Sequence, residues 1–149
     1  MSVPAPAPGE TSLSALLSTL QLSLHPDTFV FLTLPLSQSP PPSLFIQMSF
    51  REAEGLTVIS TRESAASHNL EYTFLSRMIT LNIHSSLEAV GFMAAISSQL
   101  TKYKIGANPV SAYFHDHLLV PLGKEDEAMK VLSELAEEAK LKQTLSHQS

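Results

Sequence analysis

The 149-residue chain has no cysteine. That excludes a disulfide scaffold, a cysteine-ligated zinc site and a thiol nucleophile. Basic residues are also scarce: nine Lys and Arg against fourteen Asp and Glu, for a net charge of -5. They are scattered, with no basic stripe of the kind a nucleic-acid binder carries, so no nucleic-acid partner is expected. The opening "MSVPAPAPGE" has no basic residue and no apolar core, so it does not read as a secretory signal. No apolar run is long enough to span a bilayer, and no membrane partner is expected. These absences point to a cytoplasmic protein. What is present is a hydrophobic fraction of 44%, ordinary for a globular chain and enough for a core without a staple.

Residues 1–10, rich in Pro, Ala and Gly, read as a disordered tail. In "TSLSALLSTLQLSL", Leu13, Leu16, Leu17, Leu20 and Leu24 recur at helical spacing, with Thr11 or Ser12 as N-cap. "HPDT" breaks that pattern. "TFVFLTL" is a continuous apolar run and reads as a buried strand. The prolines of residues 35–42 forbid a regular element and make a surface loop, with a PxxP ligand as the other reading. "LFIQMSF" and "LTVIS" read as a hairpin turning at "REAEG", and "TRESAASHN" as a short helix or loop.

The second half is cleaner. "RMITLNIH" sets Ile79, Leu81 and Ile83 against Met78, Thr80 and Asn82. The next segment, "SSLEAVGFMAAISSQLTKYK", is a helix apolar almost all round, and Ser85 with Glu88 fits a capping box. "ANPVSAYF" and "HLLVPL" are two strands joined at His115–His117. "KEDEAMKVLSELAEEAKLK" is amphipathic, with Ala128, Val131, Leu132, Leu135 and Ala139 as its inner face. Its acidic residues sit in the first turn, as the helix dipole prefers. The pattern predicts an α+β fold of antiparallel sheet with helices on one face. Residues 11–72 form a first, rearranged unit, residues 73–141 a second, and 142–149 a frayed end.

The stretch "VGFMAAISSQLTKYKIGANPVSAYFHDHLLVPLGKEDEAMKVLSEL" resembles an ACT domain, the small β-α-β-β-α-β ferredoxin-like module that senses amino acids. A Gly-Phe pair opens the helix, a leucine follows nine residues after that glycine, and an isoleucine begins the next strand. The second half is similar to the regulatory domains of aspartate kinases and to paired ACT domains of cytosolic arginine sensors. The whole chain, over roughly residues 12–140, resembles small stand-alone tandem-ACT proteins. "FREAEGLT", "ITLNIHSSLEAVGF" and "ANPVSAYFHDHLLVP" carry that likeness.

The resemblance implies two ferredoxin-like ACT-type units and a non-enzymatic regulatory module binding a free amino acid or related metabolite. It needs no cofactor, and it would act as a homodimer or through a regulatory protein partner. By position it implicates Ser86, Ala89, Val90, Gly91, Phe92 and Asn108, with Ala112 and Tyr113 along the strand. Aspartate kinases commonly carry Asp where Asn108 stands, and Asn offers a donor and an acceptor without charge. Glu52, from "REAEGLT", and His115, at the hairpin, are added as contacts to ligand or to the partner half.

Two other readings stay open. The chain is a structural dimer with an empty site, paired through exposed strand edges. Or His115-Asp116-His117 is a metal-dependent enzyme site. Residues two apart on a strand share a face, but a catalytic metal needs about three protein ligands. His84 and Glu52 serve only if folding brings them close. The plainer alternative is a hairpin turn.

Overall fold

The computed structural model describes residues 12–83 and 89–147, with side chains to residue 145. Helix α1 spans Leu13–Ser18, strand β1 Leu22–Leu34, β2 Met48–Arg51 and β3 Leu56–Thr61. Then come α2 Arg62–Ser67, β4 Thr73–Leu81, α3 Phe92–Lys102, β5 Asn108–Ser111, β6 Asp116–Pro121 and α4 Glu125–His147. All six strands form one antiparallel, curled sheet in the order β2-β3-β1-β4-β6-β5.

Several elements differ from their sequence reading, each for a local reason. Helix α1 stops at Ser18, because the hydroxyls of Ser18 and Thr19 both donate to Ala15 O. Such side-chain bonds compete with the helical ladder. Leu20 and Leu24 therefore leave the helix, and Leu20, Leu22 and Leu24 alternate into the same core instead. "HPDT" does not end an element. It is a bulge inside β1, where register passes from Leu24↔Ile79 to Thr28↔Arg77. Pro26, which has no N–H to give a ladder, is accommodated at that bulge. The strand expected over residues 44–50 begins only at Met48, since Leu44 turns inward and the Phe45 backbone bonds elsewhere. The turn expected at His115–His117 is Ala112–His115, closed by Ala112 N–H donating to His115 O at 3.0 Å. Asp116 and His117 already belong to β6. The expected cap Ser85 and its partner Glu88 lie outside the described residues, as do residues 1–10; α3 begins at Phe92 with Gly91 as its N-cap. Helix α4 runs to His147, through residues read as a frayed end.

The helices share one face of the sheet. Ile79, Leu81, Leu118 and Val120 meet α1, α3 and α4 in the largest core cluster. Val30, Leu32, Val58 and Ala65 continue that layer beneath α2. The opposite face is also apolar: Phe29, Ile59, Met78 and Leu119 are buried there among Phe31, Met48, Phe74 and Val110. No helix of the described residues contributes to that second cluster, so the curl of the sheet and its own side chains exclude the water.

The topology explains why the two halves look alike but not identical. The order β2-β3-β1-β4 is a ferredoxin-like unit with β1 as first strand and β4 as fourth. From the other edge, β5-β6-β4-β1 is the same unit with β4 first and β1 fourth. Each half thus takes its fourth strand from the other, and β1 and β4 serve both. In the second unit α3 makes the first crossover. In the first unit residues 35–47 cross as a loop, in which only Leu44 is buried.

Candidate functional site

Of the residues singled out in the second unit, Ala89, Val90, Gly91 and Phe92 lie at the start of α3. Gly91 has φ 88°, a left-handed conformation that suits glycine. A Cβ there would meet only Leu13 Cδ2, at an ordinary 3.8 Å, so Gly91 is required for its backbone angle and not for close approach. Ala95 N–H donates to Gly91 O at 2.9 Å, which starts the helical ladder. The amides of Phe92, Met93 and Ala94 precede that ladder, the positions where a helix leaves its N–H groups without an intrahelical partner. Among the described residues no side chain caps them. Phe92 is 2% exposed and its ring belongs to the core, so it faces a ligand only through its N–H. Val90 is 85% exposed and Ala89 half-buried, so the approach to the amides has an apolar wall. Ser86 lies outside the described residues.

The hairpin Ala112–His115 stands at the same end of β4. His115 Nδ1–H donates to Ile83 O at 3.1 Å, which ties the hairpin to the chain leading towards α3. Tyr113 and Phe114 are exposed and packed edge to face, their centroids 5.0 Å apart. Ala112 and Tyr113 are therefore brought to the α3 end of the unit.

Asn108 and Glu52 are not. Asn108 pairs with Leu119, and Leu119 with Met78, so Asn108 sits three residues back from Leu81. At about 3.3 Å per residue that is about 10 Å from the α3 end. Asn108 also shares the face of Leu119, opposite the helices. Glu52 is further away. It lies in the turn closed by its own N–H donating to Gly55 O, and its carboxylate accepts a short hydrogen bond from Thr57. That turn is level with Leu34, at the far end of β1, and on the other edge of the sheet from His115. Glu52 and His115 occupy opposite corners, and no single site of one chain contains both.

The same register bears on the metal reading. His117 faces Thr80, sharing a 2.9 Å hydrogen bond through Nδ1, while Asp116 pairs with Leu81 on the helix-covered side. Burial lowers the His117 pKa below the ordinary 6.5, and the charge of His115 lowers it further, against a smaller opposing pull from Asp116. Among the described residues no three His, Asp or Glu side chains come together to hold a metal ion. His84 lies outside them, and Glu52 is at the far corner.

Sequence reasoning missed one concave feature entirely: a cleft of about 870 Å³ between the β1 bulge, the loop 35–47 and α2. Ser43 and His68, which meet there, are 25 residues apart, and nothing in the local pattern joins them.

With this geometry in place, the comparisons are consistent. ACT domain profiles match residues 8–77 and residues 74–134. They overlap on β4, one of the strands that the two units share. A crystal structure of a protein of unknown function from Vibrio cholerae, described as a possible transport protein, is 38% identical. The match covers 83% of this chain and 95% of that one, with a TM-score of 0.76. A protein from Agrobacterium tumefaciens matches at 16% identity over 78% of this chain and 89% of its own, with a TM-score of 0.66. Aspartate kinase of Clostridium acetobutylicum, an allosteric enzyme, matches at 8% identity and a TM-score of 0.61, over 78% of this chain but 34% of its own. These last two show a common fold. No curated protein matches the chain.

The chain belongs to the ACT domain family, as a tandem of two ACT units. ACT domains are regulatory modules that bind small molecules and oligomerise. Among the described residues, no helix is long and apolar enough to cross a membrane.

Proposed function

We propose that the protein is a cytoplasmic, non-enzymatic regulatory module that binds a free amino acid or related metabolite at the start of α3. The observation that carries this reading is the left-handed Gly91 followed by three helical amides with no side-chain cap among the described residues. Such amides, at the positive end of an 11-residue helix, suit a carboxylate. Ala89, Val90 and the hairpin Ala112–His115 supply the apolar surroundings. Ser86 is retained as a contact by family position alone. Asn108 lies about 10 Å back from the end of β4 and on the sheet face opposite the helices, away from this site within one chain. It belongs to the site of a neighbouring copy, so the site is completed in a homodimer or against a regulatory protein partner. Glu52, at the remote corner, likewise contacts ligand only from a second unit. Output then follows from differential affinity of the ligand for two assembly states.

The test is thermal unfolding against a panel of free amino acids. Ligand at a hundred times its dissociation constant adds about 2.7 kcal/mol of stability. A shift with one or two amino acids, reduced by Asn108→Ala, supports the reading. A flat panel removes it.

A second reading, a structural dimer without ligand, is favoured by the edges of the sheet. Pro109 blunts β5, since it offers no N–H. Strand β2 has no such block and exposes Phe50 at 63%. A concentration-independent dimer by light scattering, with no response to any amino acid, selects this reading.

A further inference from the structure

We propose that the cleft in the first unit is a second ligand site, for a small zwitterion carrying a carboxylate and an ammonium group. It is separate from the site at α3. Its β1 wall is the bulge ending at Thr28, which pairs with Arg77, four residues before Leu81. That places it about 13 Å back along β4 from the strand's end.

The cleft exists because the first unit crosses between β1 and β2 without a helix. Where α3 buries Phe92, Ile96 and Leu100, the loop 35–47 buries only Leu44. The space left is open, but its wall is held in place. Ser60 Oγ–H donates to Phe45 O at 2.6 Å and Phe45 N–H donates to Ser64 Oγ at 2.9 Å. Ser43 Oγ and His68 Nε2 are 2.8 Å apart, and His68 Nδ1–H donates to Ser64 O at 2.7 Å. The carbonyl on Nδ1 fixes the imidazole so that Nε2 faces the cleft and Ser43. Three hydrogen bonds thus pin a proline-rich loop, one to β3 and two to α2 and its C-cap, while the fourth orients His68; apolar contacts alone would not specify one geometry. A prearranged wall lowers the ordering cost of binding.

The charges lining this wall select the ligand. Arg62 makes no ion pair among the described residues, and Glu63 makes none either, although both line the cleft. Asp27 lines it from the bulge, its carboxylate 3.9 Å from His25 Nδ1. A simple anion would meet Arg62 but be repelled by two carboxylates. A simple cation would meet the reverse. A zwitterion satisfies both, with its carboxylate on the Arg62 guanidinium and the Ser64 hydroxyl and its ammonium towards Asp27 or Glu63. Guanidinium binds carboxylate in two parallel hydrogen bonds.

The experiment is a nuclear magnetic resonance titration of the full-length chain with each protein amino acid. The expected result is saturable shifts at residues 26–28 and 61–68 with at least one of them. Arg62→Ala should weaken that binding at least ten-fold while the rest of the spectrum is unchanged. Ser43→Ala, which keeps every backbone contact, should weaken it less. The N-acetyl derivative, without the ammonium, should bind at least ten-fold more weakly than the free amino acid. No shift at these residues overturns the proposal, as does binding insensitive to Arg62→Ala or to N-acetylation. Shifts confined to residues 89–92 and 112–115 overturn it while sustaining the site at α3, so the two readings fail separately.

Discussion

Arg77 of β4 joins Glu125 of α4 and the bulge of β1 at one point. Its Nη1–H donates to Glu125 Oε2 at 3.2 Å, and its Nη2–H donates to His25 O at 2.9 Å. The two side chains are 18% and 12% exposed, so this pair is not a solvated surface contact. Among the described residues Arg77 Nε is buried with no hydrogen-bond partner, so the guanidinium is already incompletely satisfied there. Arg77→Ala should therefore cost about 2–3 kcal/mol, in the range for charged hydrogen bonds and for leaving a partner unpaired. Glu125→Gln should cost less, since it keeps an acceptor. Urea denaturation of both variants and of the double variant measures the coupling.

The two glycines of the turns should respond differently to alanine. At Gly91 the space is open and the angle is the obstacle, so Gly91→Ala should cost about 1–2 kcal/mol. Gly91→Asn should cost less, because Asn tolerates that region. At Gly55 the space is the obstacle: a Cβ would lie 2.6 Å from Thr33 Oγ1 and 3.0 Å from Leu34 O. Gly55→Ala should cost about 1–3 kcal/mol, as overpacking does, and Gly55→Asn should be worse. Thermal melts of the four variants separate the two causes.

His117 makes stability depend on pH in a defined direction. Its folded pKa lies below the ordinary 6.5. Between those two values the unfolded chain binds the extra proton, so stability rises with pH. The protein should therefore lose stability as pH falls through 6.5 towards the lowered value. His117→Gln should flatten that part of the profile. Urea midpoints at about pH 7.5 and about pH 5.5, on either side of the ordinary imidazole value, test it by the difference between wild type and variant.

The sheet face without helices should prove as costly to disturb as the covered one. Phe29 is fully buried there, edge-on to His25 with centroids 5.0 Å apart. Phe29→Ala should cost about 3–5 kcal/mol, like a truncation in any close-packed core. Were that face only a lightly covered surface, calorimetry would find a loss under about 1 kcal/mol, as for exposed sites.

Much of the second unit was legible because its signals are local. The Gly91-Phe92 start of α3, the alternation of Ile79 and Leu81 in β4, and the Ala128, Val131, Leu132 face of α4 are each set by neighbours a few residues apart. The first unit hid its plan in longer pairings. Leucines at 13, 16, 17, 20 and 24 satisfy a helical period, yet 20, 22 and 24 also satisfy a strand, and hydroxyls at Ser18 and Thr19 decided between them. A proline inside "HPDT" reads as a stop until the bulge opposite Ile79 and Arg77 is known. The site divides in the same way. The hairpin 112–115 is tied to the chain leading from β4 because β4 and β6 are neighbours, whereas Asn108 was grouped by family position and Glu52 through a stretch shared with similar proteins, and neither says anything about distance within one chain. Ser43 and His68 were invisible for the complementary reason, since no motif spans them.

The exchange of fourth strands also decides what the chain can be divided into. A cut before β4 would leave the first piece with β1 bare along the side where β4 lay, and the second with β4 bare where β1 lay. Neither fragment would be a finished ACT unit, and each would present a long, unpaired, apolar edge that seeks its complement. The two pieces, made separately, should remain insoluble or unfolded alone and recover one native sheet when mixed. Gene fusion or domain shuffling can therefore move this protein only whole.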